Sequence, residues 1–170
     1  KILKGENAFA ARAAAESLGR MKDADSVATL LQAVADLPAS QSDASGAPAT
    51  APARIREHAL IYALIETNAP EKTREGLKST SPATVRAALV ALDQMKNGKL
   101  PPEDVIRRMT DSDAALRATA AWIVNRHPDW GSALSEFFAA RFAKAATLNE
   151  AEQTQTRELL ASLAGSPEIQ

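Results

Sequence analysis

The feature that most constrains this chain is an arginine that returns four times in the same setting. Residues 11–18 read ARAAAESL, 55–64 read IREHALIYAL, 85–92 read VRAALVAL and 116–123 read LRATAAWI. Each string is an apolar residue or alanine, then Arg12, Arg56, Arg86 or Arg117, then a run of small and aliphatic residues. Within the third copy Val85, Ala88, Leu89 and Leu92 recur at i, i+3, i+4 and i+7, one apolar stripe on a helix. A supersecondary unit repeated at a fixed interval is the signature of an array that buries its core between neighbours. The arginine spacings are 44, 30 and 31 residues. The long first interval contains PASQSDASGAPATAPA at 38–53, rich in Pro, Ala and Ser, which reads as a loop inserted between repeats.

Shorter second helices separate the arginine helices: SVATLLQAVADL (26–37), EKTREGLKS (71–79) and PEDVIRRM (102–109). Cap chemistry marks the boundaries. Ser81-Pro82 is an N-cap followed by proline at the first helical position. Asp111 or Ser112 is placed to cap the fourth arginine helix, Asn97-Gly98 suits a left-handed helix stop, and Pro101-Pro102 opens a helix. Pro128 then breaks the chain, and a longer helix follows over 129–145 with Trp130, Leu134, Phe138, Phe142 and Ala145 on one face and Phe137 beside it. Asn149 to Glu152 has the spacing of a capping box and opens a last helix over about 150–164, apolar at Leu159, Leu160 and Leu163. The expected organisation is a single domain over 1–170, with repeats at about 6–37, 53–79, 82–109 and 112–145, a capping helix at 149–164 and the inserted loop at 38–53. Ala13, Ala59, Ala88 and Ala120 are the small residues expected to let the helices approach closely.

Composition agrees with an all-α chain. Hydrophobic residues make up 45% and aromatics only 4%, and long period-2 alternation is absent. With 170 residues there is room for one domain with a real core. The net charge of −1 lacks the basic excess of a nucleic-acid binder. No apolar run reaches the roughly 20 residues of a membrane span, and nothing at the start reads as a signal peptide. The chain has no cysteine, which removes disulfides, thiolate zinc sites, cysteine nucleophiles and CxxCH haem attachment. Its start at Lys1, in a helical context, is read as a segment of a larger protein.

The pattern apolar-Arg-x-x-Ala-x-x-Ala-Leu in a helix pair of about thirty residues resembles the HEAT-like repeat, in the short form found in phycobilin lyases. The resemblance covers roughly 6–127 and implies a right-handed α-solenoid of about four helix pairs, closed by a longer C-terminal pair. Such repeats serve many systems, so the fold does not bring a function with it. A second resemblance lies in HPDWGSALSEFFAARFA (127–143) and LNEAEQTQTRELLASLAGSPEIQ (148–170). These are similar to the end of the HEAT-like segment in very large exported planctomycete proteins, described as membrane-bound dehydrogenase-like or haem-binding. That resemblance implies an exported or periplasmic location. The haem motif is absent from this chain, so no haem role is carried onto its residues.

Each candidate site has a plain structural reading beside a functional one. The repeat arginines form either a row that binds an anion or a set of rungs that reach a carboxylate or carbonyl nearby. The structural reading is preferred, because Asp113 lies one turn before Arg117 and an exposed pair of that kind contributes about 0.3–0.5 kcal/mol. His58 and His127 lack HxxxH or HExxH partners and read as surface or helix-end residues. Trp130, Phe137, Phe138 and Phe142 read as the packing of the terminal helices, or as a groove for a partner helix. Trp122 is expected between repeats. The 38–53 insertion reads equally as a binding loop and as a neutral tether. GxSxG, P-loop and GxGxxG motifs are absent. The expectation is therefore a non-catalytic scaffold or protein-interaction module within a larger exported protein, with no catalytic, metal or cofactor residues. Its partner is expected to be protein rather than nucleic acid. The alternatives are a HEAT-like alkylpurine DNA glycosylase or a tetrapyrrole lyase or chaperone.

Overall fold

The computed structural model describes residues 2–4, 7–37, 51–144 and 147–163. Among them every regular element is helical, and nine are α-helices. In order they are α1 (Ala8–Met21), α2 (Ser26–Ala35), α3 (Ala51–Thr67), α4 (Pro70–Arg74), α5 (Pro82–Gln94), α6 (Pro102–Ile106), α7 (Ala114–Val124), α8 (Gly131–Ala143) and α9 (Glu150–Leu163). Short 3₁₀ turns occupy Ile2–Lys4, Glu75–Lys78, Arg107–Thr110 and Pro128–Trp130. Residues 38–50 of the expected insertion, Ala145 and the AGSPEIQ ending (164–170) lie outside the described residues, as does the side chain of Leu163. The chain falls into two compact units, Lys1–Leu100 and Pro101–Gln170. The division passes through the expected third repeat, 82–109.

In the first unit α1 packs chiefly on α3, α3 on α5, and α2 on both α3 and α5. The α1 stripe is Ala11, Ala15 and Gly19, and all three are buried. A Cβ on Gly19 would come within 3.0 Å of Ala63 Cα, so the missing side chain is what lets these helices cross closely. Ala13, expected in this role, is exposed instead, because the i, i+4, i+8 stripe runs through 11, 15 and 19. Ala59, Ala88 and Ala120 are buried as expected. So are Val85, Ala88, Leu89 and Leu92, the stripe of the third copy. Helix α3 begins at Ala51, and the expected loop over 38–53 is therefore shorter at its end. Pro52 does not prevent this, since the first helical turn needs no N–H donor.

The turns confirm some caps and correct others. Ser81 Oγ accepts from Thr84 N–H at 3.4 Å, with Pro82 following as expected. Helix α5 stops at Gln94 through an extended Met95, and Asn97-Gly98 is not a left-handed stop. The positive φ in this turn belongs to Lys99. Gly98 serves a different need: a Cβ there would sit 1.7 Å from the Leu92 carbonyl oxygen, so only a glycine fits. Arg74 closes the end of the unit by donating to the carbonyls of Gly98 and Lys99 at 2.7 and 3.0 Å.

In the second unit α7 packs on α6 and on the 3₁₀ turn that continues it. The cap of α7 is Asp113, whose Oδ1 accepts from Leu116 N–H at 2.7 Å, rather than Asp111 or Ser112. Asp111 instead accepts from the N–H of Asp113 at 3.0 Å and so shapes the turn ahead of the cap. After Pro128, Trp130 is buried in the 3₁₀ turn and Leu134 and Phe138 are buried along α8, while Phe142 in its last turn is exposed. Helix α8 runs over 131–143, inside the expected 129–145, because Pro128 to Trp130 form a 3₁₀ turn first. Arg141 ties α9 to α8 by donating to Thr156 Oγ1 at 2.9 Å and to the Glu152 carbonyl at 3.4 Å. The capping box is complete. Asn149 N–H donates to Glu152 Oε2, and Glu152 N–H donates to Asn149 Oδ1, both at 2.9 Å.

Candidate functional site

The four arginines occupy one sequence position and meet four different fates. Arg12 is exposed and donates to Glu16 on its own helix at 2.7 Å. That guanidinium, then Arg20, holds the Glu16 carboxyl below its ordinary range. Arg86 reaches across from α5 to pair with Glu57 on α3, with side chains only 20% and 12% exposed. Arg117 donates to the backbone carbonyls of Asp111 and Ser112 at 2.8 and 2.9 Å. Asp113 is occupied as the helix cap, so the expected Asp113–Arg117 pair is replaced by these carbonyl contacts. Arg56 differs from the other three: its Nε and Nη2 are shielded from water and have no hydrogen-bond acceptor.

The reason for that difference is visible in the sequence. Glu57, which serves Arg86, directly follows Arg56. The aligned position, directly after Arg12, is Ala13, which carries no acceptor. Arg56 also heads the buried stripe of α3, which continues through Ala59, Leu60, Ala63, Leu64 and Thr67. A guanidinium at the head of such a stripe, without a carboxylate in the preceding repeat, has no acceptor for the buried part of its edge. Reading the four arginines as equivalent rungs concealed this.

The aromatic residues divide sharply. Trp122, expected between repeats, is 43% exposed, and the Arg126 guanidinium lies 4.9 Å from its ring centroid. Its place follows from periodicity: the buried stripe of α7 is Leu116, Ala120, Ile123 and Val124, and position 122 falls off it. His127 stacks on Trp130 with ring centroids 4.0 Å apart, and its Nδ1 lies 3.7 Å from Asp129. It is a helix-end residue. His58 is exposed on α3. In the first unit Phe9, Met21 and Tyr62 are exposed. Tyr62 hydrogen-bonds Glu66, which raises the phenol above its usual range.

Among the described residues each unit has an open cleft. The first, about 490 Å³, has Leu31 and Gly76 among its lining, with Asp25, Lys72 and Glu75 as charged groups. Lys72 and Asp25 form an ion pair there, and the Lys72 hydrogen bond holds the Asp25 carboxyl low. Thr84 lines the same cleft with a buried hydroxyl that has no partner. The second cleft, about 600 Å³, lies between the turn before α7 and the start of α9 and is mainly acidic, with Asp111, Glu150, Glu152 and Glu158 opposed by Arg117. Among the described residues no group of three or more His, Cys, Asp or Glu is arranged to hold a metal ion, and no helix is long and apolar enough to cross a membrane. No family model, curated protein or solved structure matches the chain.

Proposed function

We propose that the chain is a HEAT-like helical-repeat module that acts without catalysis, as a scaffold or protein-binding segment of a larger exported protein. The repeat reading is supported position by position. The residue three after each arginine, namely Ala15, Ala59, Leu89 or Ala120, is buried in all four copies. Consecutive arginine helices in the first unit pack on one another, α1 on α3 and α3 on α5, and Arg86–Glu57 ties the second pair. That is nearest-neighbour stacking, the principle on which α-solenoids are built.

The observation that carries the interaction reading is Trp122 under Arg126. Tryptophan and arginine are the side chains most enriched where protein interfaces concentrate their energy. Here Trp122 on α7 and Arg126 in the turn after it stand together, with the indole only partly covered. The occupant proposed is the remainder of the parent polypeptide. A polyanion is less well suited. The outer side of α1 alternates Arg12, Glu16 and Arg20, and Glu66 bonds Tyr62 nearby, where nucleic acid needs a continuous basic tract.

The test is a calorimetric titration of this chain with the segments that flank it in its open reading frame. Wild type is expected to bind, and Trp122→Ala to weaken binding by at least tenfold, about 1.4 kcal/mol. Flanking segments that do not bind, or that bind Trp122→Ala equally well, overturn the reading.

A further inference from the structure

We propose that Asn97 is a site of spontaneous covalent modification, where the side chain closes on the Gly98 backbone and the turn is remade through an isoaspartyl link. Asn97 is exposed in the turn after α5, and its side chain has no hydrogen bond to a described residue. The chain's other asparagines stand at 7, 68, 125 and 149. The Oδ1 atoms of Asn7 and Asn149 are occupied as helix caps, and that of Asn68 is buried. All four precede residues with side chains, Ala8, Ala69, Arg126 and Glu150, whose Cβ hinders ring closure. Asn97 precedes a glycine, which offers no such hindrance. That glycine is not exchangeable, since a Cβ at 98 would sit 1.7 Å from the Leu92 carbonyl oxygen. The close approach of this turn to α5 therefore holds a reactive Asn-Gly pair at an exposed position.

The Gly98 nitrogen attacks Asn97 Cγ and gives up its proton, the Cγ–Nδ2 bond breaks, and Nδ2 leaves as ammonia. Water then opens the cyclic imide at either carbonyl. Opening at Cγ gives aspartate and restores the main chain. Opening at the main-chain carbonyl leaves Gly98 joined through Cγ, with an extra carbon in the backbone. Nothing is oxidised or reduced. The Gly98 N–H donates to the Met95 carbonyl at 3.1 Å, and breaking that bond slows the attack by up to about tenfold relative to an unfolded chain. The extra carbon falls just before the carbonyls of Gly98 and Lys99, which Arg74 holds at 2.7 and 3.0 Å. It carries both away from the guanidinium, so the turn that Arg74 secures is loosened. This proposal goes beyond the interaction reading and does not rest on Trp122.

The experiment ages the full chain in mildly alkaline buffer and follows each asparagine by peptide mass mapping. Methyl transfer by an isoaspartyl methyltransferase marks the isoaspartyl link. Asn97 is expected to lose its amide before the other four, and faster in alkaline than in mildly acid buffer, because the attacking nitrogen must shed a proton. The isoaspartyl fraction should melt about 5 °C or more below fresh protein, since two hydrogen bonds from a charged group are lost. Asn97→Gln, whose longer side chain closes a larger ring far more slowly, should age without that loss. Fresh Asn97→Asp, which has the new charge on an unaltered backbone, should melt with fresh wild type. An amide at 97 that outlasts any of the other four overturns the proposal. So does isoaspartyl-bearing protein that melts with fresh wild type, an equal loss of Tm on ageing Asn97→Gln, or fresh Asn97→Asp that melts as low as the aged protein.

Discussion

Arg86 shows how a charge comes to sit in an apolar helix. Its neighbours Val85, Ala87, Ala88 and Leu89 are buried, and its guanidinium crosses to Glu57 on the preceding arginine helix. Removing either partner takes a charged contact from a side chain that is largely buried. Denaturant unfolding of Arg86→Met, Glu57→Gln and the double variant should give an interaction energy on the order of 1 kcal/mol, whereas additive effects would deny the tie. Asp111 offers a pH readout. Its carboxyl is held below the ordinary value by the Asp113 N–H and then by Arg108. A lowered folded pKa gives stability that is present above the unfolded value of about 4 and is lost as pH falls through the folded one. Asp111→Asn is therefore expected to cost up to about 1 kcal/mol near neutral pH. The difference from wild type should shrink below about pH 4. A pH-independent difference would remove Asp111's charge from the explanation. The acidic DSD triplet at 111–113 was legible as a cap, but its register was not, since all three residues are cap formers. Trp122 was misplaced for a simpler reason: large aromatics invite burial, and the stripe that excludes position 122 is short.

At the level of elements, periodicity and caps located all nine helices. The α9 capping box and the Pro82 and Pro102 starts needed only local chemistry, so the sequence carries them in full. What local chemistry did not reveal is that α4 and α6 last only five residues each and tighten into 3₁₀ turns at Glu75 and Arg107. That tightening is not written in propensity, because the residues on either side of each change are ordinary helix formers. The turn after α5 was misread because glycine suits two purposes, a positive φ and a close backbone approach, and only the structure distinguishes them. Gly98→Ala is therefore expected to cost at least about 3 kcal/mol. Gly131→Ala, where a Cβ meets nothing within 4 Å, should be neutral or gain up to about 1 kcal/mol. Thermal unfolding of the two variants side by side checks this, and a mild effect at Gly98 would show that the Leu92 carbonyl yields easily.

At the scale of the whole molecule, the all-helical class was legible from the repeat, whereas the division at Leu100–Pro101 was not. The two prolines that open α6 signalled a helix start, and nothing in them marks a change of unit. Within the first unit the chain closes on itself: α1, α2, α3 and α5 bury one another's stripes, and Arg74 secures the carbonyls of Gly98 and Lys99 at its end. A helix-pair array is stabilised by neighbours rather than by one central core, so a run of adjacent pairs folds without the rest. The most direct measurement is circular dichroism of residues 1–100 expressed alone, followed through heating. A helical spectrum with a cooperative transition is the expected result. A fragment that is unfolded at room temperature, while the full chain melts cooperatively, would mean one indivisible core and contradict the repeat array.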